Sequence, residues 1–468
     1  MFIGRENELT MLDELYRSGR FACVVLHGRR QMGKTALIRQ FLEGKKAIFF
    51  TGVEGSARQN LENLSRDIAD SVGSLVSGTM FSSFVSGLEY VFRGSEKERI
   101  VLVLDDFPAA DRADGKLCEG IRQLIDLYRD RSKMMLILCG SSPVYMEERI
   151  LSPRSPLYGR IDARIELLPF DFLDASRYLR GYSAVDKALA YGVFGGTPGY
   201  LFQVDVDKNV RENIQRLFLD SSSPLFCEPS GVLRQEIREP ATYNAILSAI
   251  AGGACRMTEI SARVGEDTNV CSAYLKSLLA LGLVRKETPY GENAPRKTVY
   301  SVTDNMFRFW YRFVPENASL IAREEKDLVY RRIAPELGEY MGQAFSDICQ
   351  QYLWKMRQAG RCPVKFNTLG RWWGTDPVRK KPVEIDIMGE QDRDTALFGR
   401  CLWAEERLGR EELDTLVEQS RLFPYKVAHY FLFSRSGFTR ECSELGEIMG
   451  NVTMVSFDSN SIRVNNRG

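Results

Sequence analysis

Histidine is the scarcest reactive side chain in this 468-residue sequence, which carries only His27 and His429. A multi-histidine metal centre is thereby excluded, and imidazole acid–base catalysis has little to draw on. An excess of charge of one sign is also lacking. Lys and Arg number 63 against 62 Asp and Glu, so no global field draws the chain to a polyelectrolyte, and any nucleic-acid site must be a local patch. No apolar run approaches the roughly eighteen residues of a membrane span. The opening Met1-Phe2-Ile3-Gly4-Arg5-Glu6 lacks the charged-then-apolar pattern of a secretion signal, so neither export nor a membrane partner is expected. The ten cysteines are scattered singly with no C-x-x-C pair. That spacing argues against zinc and against a disulfide framework, and for reduced core thiols in a cytoplasmic protein.

What is present is first of all length. A chain of 468 residues exceeds what one core supports and implies several domains. The most informative stretch is Cys23-Val-Val-Leu-His27-Gly28-Arg29-Arg30-Gln31-Met32-Gly33-Lys34-Thr35-Ala36. Its apolar, β-branched start predicts a buried strand, and Leu37, Ile38, Phe41 and Leu42 continue with helical spacing. Between them, Gly28 and Gly33 allow the backbone to wrap with its N–H groups inward at a positive helix N-terminus, which is a nest for phosphate oxygens. Residues 28–36 are therefore the expected nucleotide-binding loop. Lys34 reaches the β- and γ-phosphates and the Thr35 hydroxyl takes one position on Mg²⁺. The implied cofactors are ATP or ADP and Mg²⁺.

Further strands are predicted at Ala47–Thr51, Ile100–Leu104, Met134–Cys139 and Ile161–Leu168, with helical spacing at Leu61–Ile68, from Phe81 to Val91, and from Leu117 to Tyr128. The run Ile100–Leu104 delivers Asp105 and Asp106 to its carboxyl end, where parallel sheets place their ligands. Asp105 is the expected Mg²⁺ residue, and Asp106 stands where an acidic group can polarise the attacking water. The competing reading is that the pair only caps the following helix.

The opening Phe2-Ile3-Gly4-Arg5-Glu6-Asn7-Glu8-Leu9, placed ahead of such a loop, resembles the archaeal-type ATPases of the AAA+/STAND group. The resemblance extends over nearly the whole chain and implies an α/β fold: a parallel-sheet P-loop ATPase core with a helical lid, a winged helix and a C-terminal restriction-endonuclease-like α/β domain. The corresponding segments are 1–168, 169–235, 236–315 and 316–468. It implies that Phe2 and Ile3 pack on the adenine, that Arg5 ties the opening segment to the core, and that Pro198 of Gly195-Gly-Thr-Pro-Gly199 approaches the base from the lid. The strand ending in Gly140-Ser141-Ser142 matches the position from which Ser141 or Ser142 bonds the attacking water or γ-phosphate; a plain helix cap is the alternative. Ser155-Pro-Leu-Tyr-Gly-Arg160 matches the family pattern and makes Arg160 the candidate γ-phosphate sensor. Paired aspartates at 105 and 106 imply slow hydrolysis.

From Ala241 the spacing predicts three helices and a hairpin around Gly291, a winged helix-turn-helix. Its outward residues would be Thr268, Asn269, Ser272 and Lys276, with Arg285, Lys286, Arg296 and Lys297 on the wing. Two readings are open: contact with double-stranded DNA, or packing and regulation, with an unidentified protein as partner. The aromatic stretch Asp304–Phe313 reads as a wedge between domains. In the C-terminal segment, Asp386 matches the first metal position of a nuclease-like fold, but Arg400 and Leu402 stand where relatives carry Glu and Lys. The expectation is a nuclease-like fold that has lost cleavage.

Overall fold

Five short parallel strands form the frame of the first part of the chain: β1 (Ala22–His27), β2 (Ala47–Thr51), β3 (Val101–Asp105), β4 (Met135–Gly140) and β5 (Ala163–Glu166), in the order β2-β3-β4-β1-β5. This computed structural model describes residues 2–72, 80–236, 240–458 and 461–465. Strands β1, β3 and β4 are buried at every position, which is why their runs are continuously apolar rather than alternating. Helices cover both faces: α1 (Glu6–Arg17), α2 (Lys34–Leu42), α3 (Ala57–Val72), α4 (Phe84–Lys97), α5 (Phe107–Asp114) and α6 (Leu117–Tyr128). Successive residues of β1 feed opposite cores. Cys23 and Val25 join the cluster of α4 and α6 side chains, while Val24 and Leu26 pack with Leu37, Ile38 and Phe41 of α2.

Two boundaries differ from expectation. Helix α4 begins at Phe84 rather than near Phe81, because Ser83 accepts from Ser86 N at 3.1 Å and closes a capping box. Strand β5 is shorter than Ile161–Leu168, since it pairs with β1 only over Val24–His27.

The chain divides into two compact units: Met1–Pro169 with Thr197–Gly199, and Phe170–Gly196 with Tyr200–Gly468. In the second, short helices Phe172–Ser176, Ala184–Phe194 and Val210–Leu217 precede α7 (Pro240–Ala251), α8 (Met257–Val264), α9 (Thr268–Ala280) and the antiparallel pair β6 (Val284–Glu287) and β7 (Val299–Val302). The aromatic helix α10 (Asn305–Phe313), capped by Asp304, buries Phe307, Phe309 and Phe313. It bonds on both sides: Trp310 Nε1 donates to Phe226 O at 2.8 Å and Tyr311 Oη to Asn244 Oδ1 at 2.6 Å. The long helix α11 (Leu337–Gln358) then leads to a six-stranded sheet. Its strands are β8 (Gly370–Thr375), β9 (Pro382–Glu390), β10 (Thr395–Leu402), β11 (Val427–Ser434), β12 (Val452–Asp458) and β13 (Ser461–Asn465), in spatial order from β13 to β8. The three strands β8, β9 and β10 are antiparallel; β10, β11 and β12 are parallel, joined through α12 (Arg410–Ser420) and α13 (Arg440–Met449). Among the described residues no helix is long and apolar enough to cross a membrane.

Candidate nucleotide site

The loop between β1 and α2 turns on two glycines. Gly28 has φ 149° and Gly33 φ 82°, a region that side chains other than glycine rarely enter. A Cβ at Gly28 would lie 2.5 Å from Leu167 O, so the backbone passes closer to the end of β5 than any other residue permits. Gln31 also has a left-handed φ of 65°, and its carbonyl accepts from Gly199 N at 3.0 Å. The ring of Pro198 stands 4.0 Å from where a Cβ on Gly33 would be. Residues Thr197–Gly199 are thus brought against the loop.

Lys34, the first residue of α2, is buried, and its ammonium donates to Gly28 O and Arg29 O at 2.8 Å each. Burial holds its pKa below the usual lysine range, with the Asp105 and Asp106 carboxylates working against that shift. Thr35 Oγ1 donates to Asp105 Oδ2 at 3.1 Å, and Asp105 Oδ1 accepts from Asp106 N at 3.0 Å. Asp106 occupies a left-handed conformation, φ 44°, at the N-cap of α5, and its side chain does not cap that helix. Burial raises its carboxyl above the ordinary range, while nearby Arg30 pulls it back. The intervening strand β4 contributes Cys139, whose thiol is pushed well above its normal pKa by burial and next by the Asp105 carboxylate. A positive helix N-terminus, inward backbone, a buried ammonium and a hydroxyl–carboxylate pair are the donor set that a nucleoside triphosphate and Mg²⁺ require, so the residues fit both.

The remaining predicted residues divide. Arg5 donates to Leu168 O at 2.6 Å and Met32 O at 3.3 Å, tying the opening segment to the loop. Ile3 is buried, and Phe2 packs on the cluster holding Met32 and Leu37. Arg29 is half-buried, whereas Arg30, Gln31 and Ala36 are exposed. Ser141 and Ser142 follow β4, and Ser142 occupies an N-cap position without a side-chain cap bond. Arg160 is not brought to the loop. Its guanidinium is held by Asp126 through Nε at 2.7 Å and Nη2 at 2.9 Å, late in α6, beside Asp162, whose carboxylate accepts from Cys23 N at the opposite end of β1. A sensor reading of Arg160 within its own chain is corrected on that ground. The β5 arginine that does adjoin the loop is Arg164, which donates to His27 Nε2 at 3.1 Å and pairs with Glu147. Burial, and next the Arg164 charge, lower the pKa of His27.

The hairpin of the second unit is likewise not free. Arg285 donates to Asp347 Oδ1 and Oδ2 at 2.8 and 3.0 Å and to Ser301 Oγ at 3.0 Å. Tyr290 N donates to Arg371 O at 2.8 Å, and Trp372 Nε1 to Glu292 Oε1 at 2.9 Å. The hairpin is thereby fastened to α11 and β8, which corrects the placement of Arg285 among outward wing residues. Thr268, Asn269, Ser272 and Lys276 on α9 are exposed. In the C-terminal sheet, Asp386 Oδ2 accepts from Cys401 N at 2.8 Å and faces Arg400 Nη1 at 3.5 Å. Burial raises the Asp386 carboxyl and Arg400 opposes that shift. No group of three His, Cys, Asp or Glu side chains able to hold a metal exists among the described residues.

The five-stranded parallel sheet and its glycine loop define a P-loop ATPase domain. A family model described as an ATPase domain predominantly from Archaea matches residues 2–204, and one for archaeal and bacterial proteins of unknown function matches residues 310–415. Residues 2–204 are thus an ATPase domain of this archaeal type, followed in the chain by that second conserved domain. An uncharacterized protein of Methanocaldococcus jannaschii is 29% identical over 415 residues, 86% of this chain and 88% of its own. An uncharacterized ATP-binding protein of the same organism is 44% identical over 46 residues, 10% of this chain and 78% of its own. A Walker-type ATPase of Pyrococcus abyssi shares the fold, with a TM-score of 0.50 at 20% identity, covering 66% of this chain and 96% of that one.

Proposed function

We propose that this chain binds ATP with Mg²⁺ on residues 28–36, hydrolyses it slowly, and uses the nucleotide as a conformational switch. The observation that carries the reading is the Thr35 hydroxyl set on the Asp105 carboxylate beside the buried Lys34 ammonium. On this reading Lys34 moves from the loop carbonyls to the phosphates, Thr35 and Asp105 hold the metal, and the backbone of 28–34 orients the phosphate chain. Bound Mg²⁺ supplies charge neutralisation on the transferring phosphoryl group. Asp106, with a carboxyl raised by burial, positions the attacking water, and Ser141 or Ser142 bonds it from β4. Asp is one methylene shorter than Glu, which favours slow turnover and a long-lived bound state. Phe2, Ile3 and Pro198 frame the base.

The fastened hairpin favours a winged-helix module that packs and regulates over one whose wing enters a groove; DNA contact then rests on the exposed face of α9. The Asp386–Arg400 pair favours a nuclease-like sheet without cleavage, because a cation stands where a metal carboxylate is needed. The test is equilibrium binding of ATP and ADP, with and without Mg²⁺, to the full chain and to Lys34→Ala and Asp105→Asn. Lys34→Ala should lose both nucleotides by about 100-fold, as expected for about 3 kcal/mol of charge-assisted phosphate contacts. Asp105→Asn should lose the Mg²⁺-dependent part of affinity. Unchanged binding in Lys34→Ala refutes the assignment.

A further inference from the structure

A cavity of about 480 Å³ lies within the second unit, walled by the end of α7, β6 and β7, α10, the start of α11 and the β8–β9 edge. Its size falls within the range of about 300–1,000 Å³ common to small-molecule sites. Buried polar groups usually have partners, because an unpaired buried donor forfeits its hydration without compensation. Three groups in this wall have none. Arg308 is only 5% exposed, and its Nε and Nη2 have no hydrogen-bond partner, nor do Gln343 Nε2 and Glu287 Oε2.

The unpartnered edge of Arg308 has a definite shape. Nε and Nη2 are the two donors of one edge of the guanidinium, the fork that a carboxylate or phosphate accepts with two parallel bonds. The guanidinium is pre-positioned over the Tyr340 ring, 4.5 Å from its centroid. Two other cations of the wall are already committed: Arg312 pairs with Glu336 at 2.8 Å, and Arg371 pairs with Glu384. No carboxylate pairs with Arg308 among the described residues. The nearest cation to Glu287 Oε2 is Arg285 Nε at 3.8 Å, beyond hydrogen-bond reach.

We propose that this cavity binds a small molecule carrying a carboxylate or phosphate group and, on its other side, a hydrogen-bond donor. Arg308 and Gln343 take the oxyanion, and Glu287 accepts from the donor. The wall combines the hairpin, the aromatic helix and the edge of the C-terminal sheet, so the ligand bridges three parts of the second unit. The site is independent of the phosphate loop.

The test uses full-length Lys34→Ala protein, which removes the phosphate loop as a competing anion site, titrated calorimetrically with L-glutamate, inorganic phosphate and adenosine monophosphate. At least one probe should bind saturably at one site, and the one that does distinguishes a carboxylate from a phosphate ligand. Adding Arg308→Met or Gln343→Glu should weaken that binding about tenfold or more, the latter by setting a negative charge against the oxyanion. If Arg308→Met does not fold, the half-buried Gln343→Glu carries the comparison, with elution volume and circular dichroism as folding controls. Absence of saturable binding by all three probes up to about 10 mM, or affinity unchanged in Gln343→Glu, overturns the proposal and leaves a water-filled cavity.

Discussion

Arg285→Ala is the perturbation that best separates a fastened hairpin from a free wing. Arg285 spans two hydrogen bonds to Asp347, at 2.8 and 3.0 Å, and its side chain is 31% exposed against 21% for Asp347. Removing one partner of a fully buried pair costs about 3–5 kcal/mol, chiefly because the other charge is left without compensation. Partial exposure on both sides brings the expected loss down to roughly 2 kcal/mol. In a cycle with Asp347→Ala the coupling should be about 1–2 kcal/mol, since the double variant strands neither charge. The five tryptophans at 310, 354, 372, 373 and 403 all lie in the second unit, so urea unfolding followed by tryptophan fluorescence reports on the unit that holds the pair. The same substitution should leave duplex-DNA affinity and its salt slope unchanged. Coupling below about 0.5 kcal/mol, or a DNA affinity that falls with Arg285→Ala, refutes the reasoning.

Other perturbations bear on separate features. Gly28→Ala forces a side chain to φ 149° and 2.5 Å from Leu167 O; it should cost roughly 2–4 kcal/mol in thermal or urea unfolding and abolish nucleotide binding, while a loss under about 0.5 kcal/mol contradicts the close-packed loop. His429, whose Nε2 lies 2.9 Å from Thr453 Oγ1, has its pKa lowered by burial to about 4. The folded state therefore takes up that proton less readily than the unfolded chain, so stability is present above the unfolded pKa and is lost as pH falls from about 6.5 toward 4. Between pH 7 and pH 5, after allowance for partial exposure, this amounts to about 1 kcal/mol, which His429→Phe should remove from the pH 7 minus pH 5 difference in urea stability; an unaltered difference counts against it. A plasmid-nicking assay with Mg²⁺ or Mn²⁺ should show no cleavage by the natural chain, and cleavage that Asp386→Ala removes would overturn the inactive-sheet reading.

The strand, loop and helix around Lys34 were legible because their features are local: a continuous apolar run, two glycines at fixed spacing and an amphipathic continuation. Asp105 was legible for the same reason. What lay beyond local pattern was which distant groups meet. Nothing near Arg160 announces that Asp126, on another element, takes both donors of the Nε–Nη2 edge of its guanidinium. The partnership of Arg285 with Asp347 across 62 positions, and the hydrogen bond from Gly199 N to Gln31 O, are equally long-range. The π-helical turn Met146–Ile150 is too short to leave a period in the sequence. The unpartnered edge of Arg308 was hidden because an arginine in an aromatic helix reads as a solvated residue until its burial is known.

The central claim is that residues 28–36 with Asp105 and Asp106 form a nucleotide-hydrolysing site. The most direct measurement is steady-state phosphate release from ATP and Mg²⁺ by the full chain, with and without duplex DNA, beside Lys34→Ala and Asp106→Asn. The account predicts slow release that vanishes in Lys34→Ala and falls at least about tenfold in Asp106→Asn while that variant still binds ATP. Release that persists in Lys34→Ala, or no release from a chain that also fails to bind ATP, would contradict it.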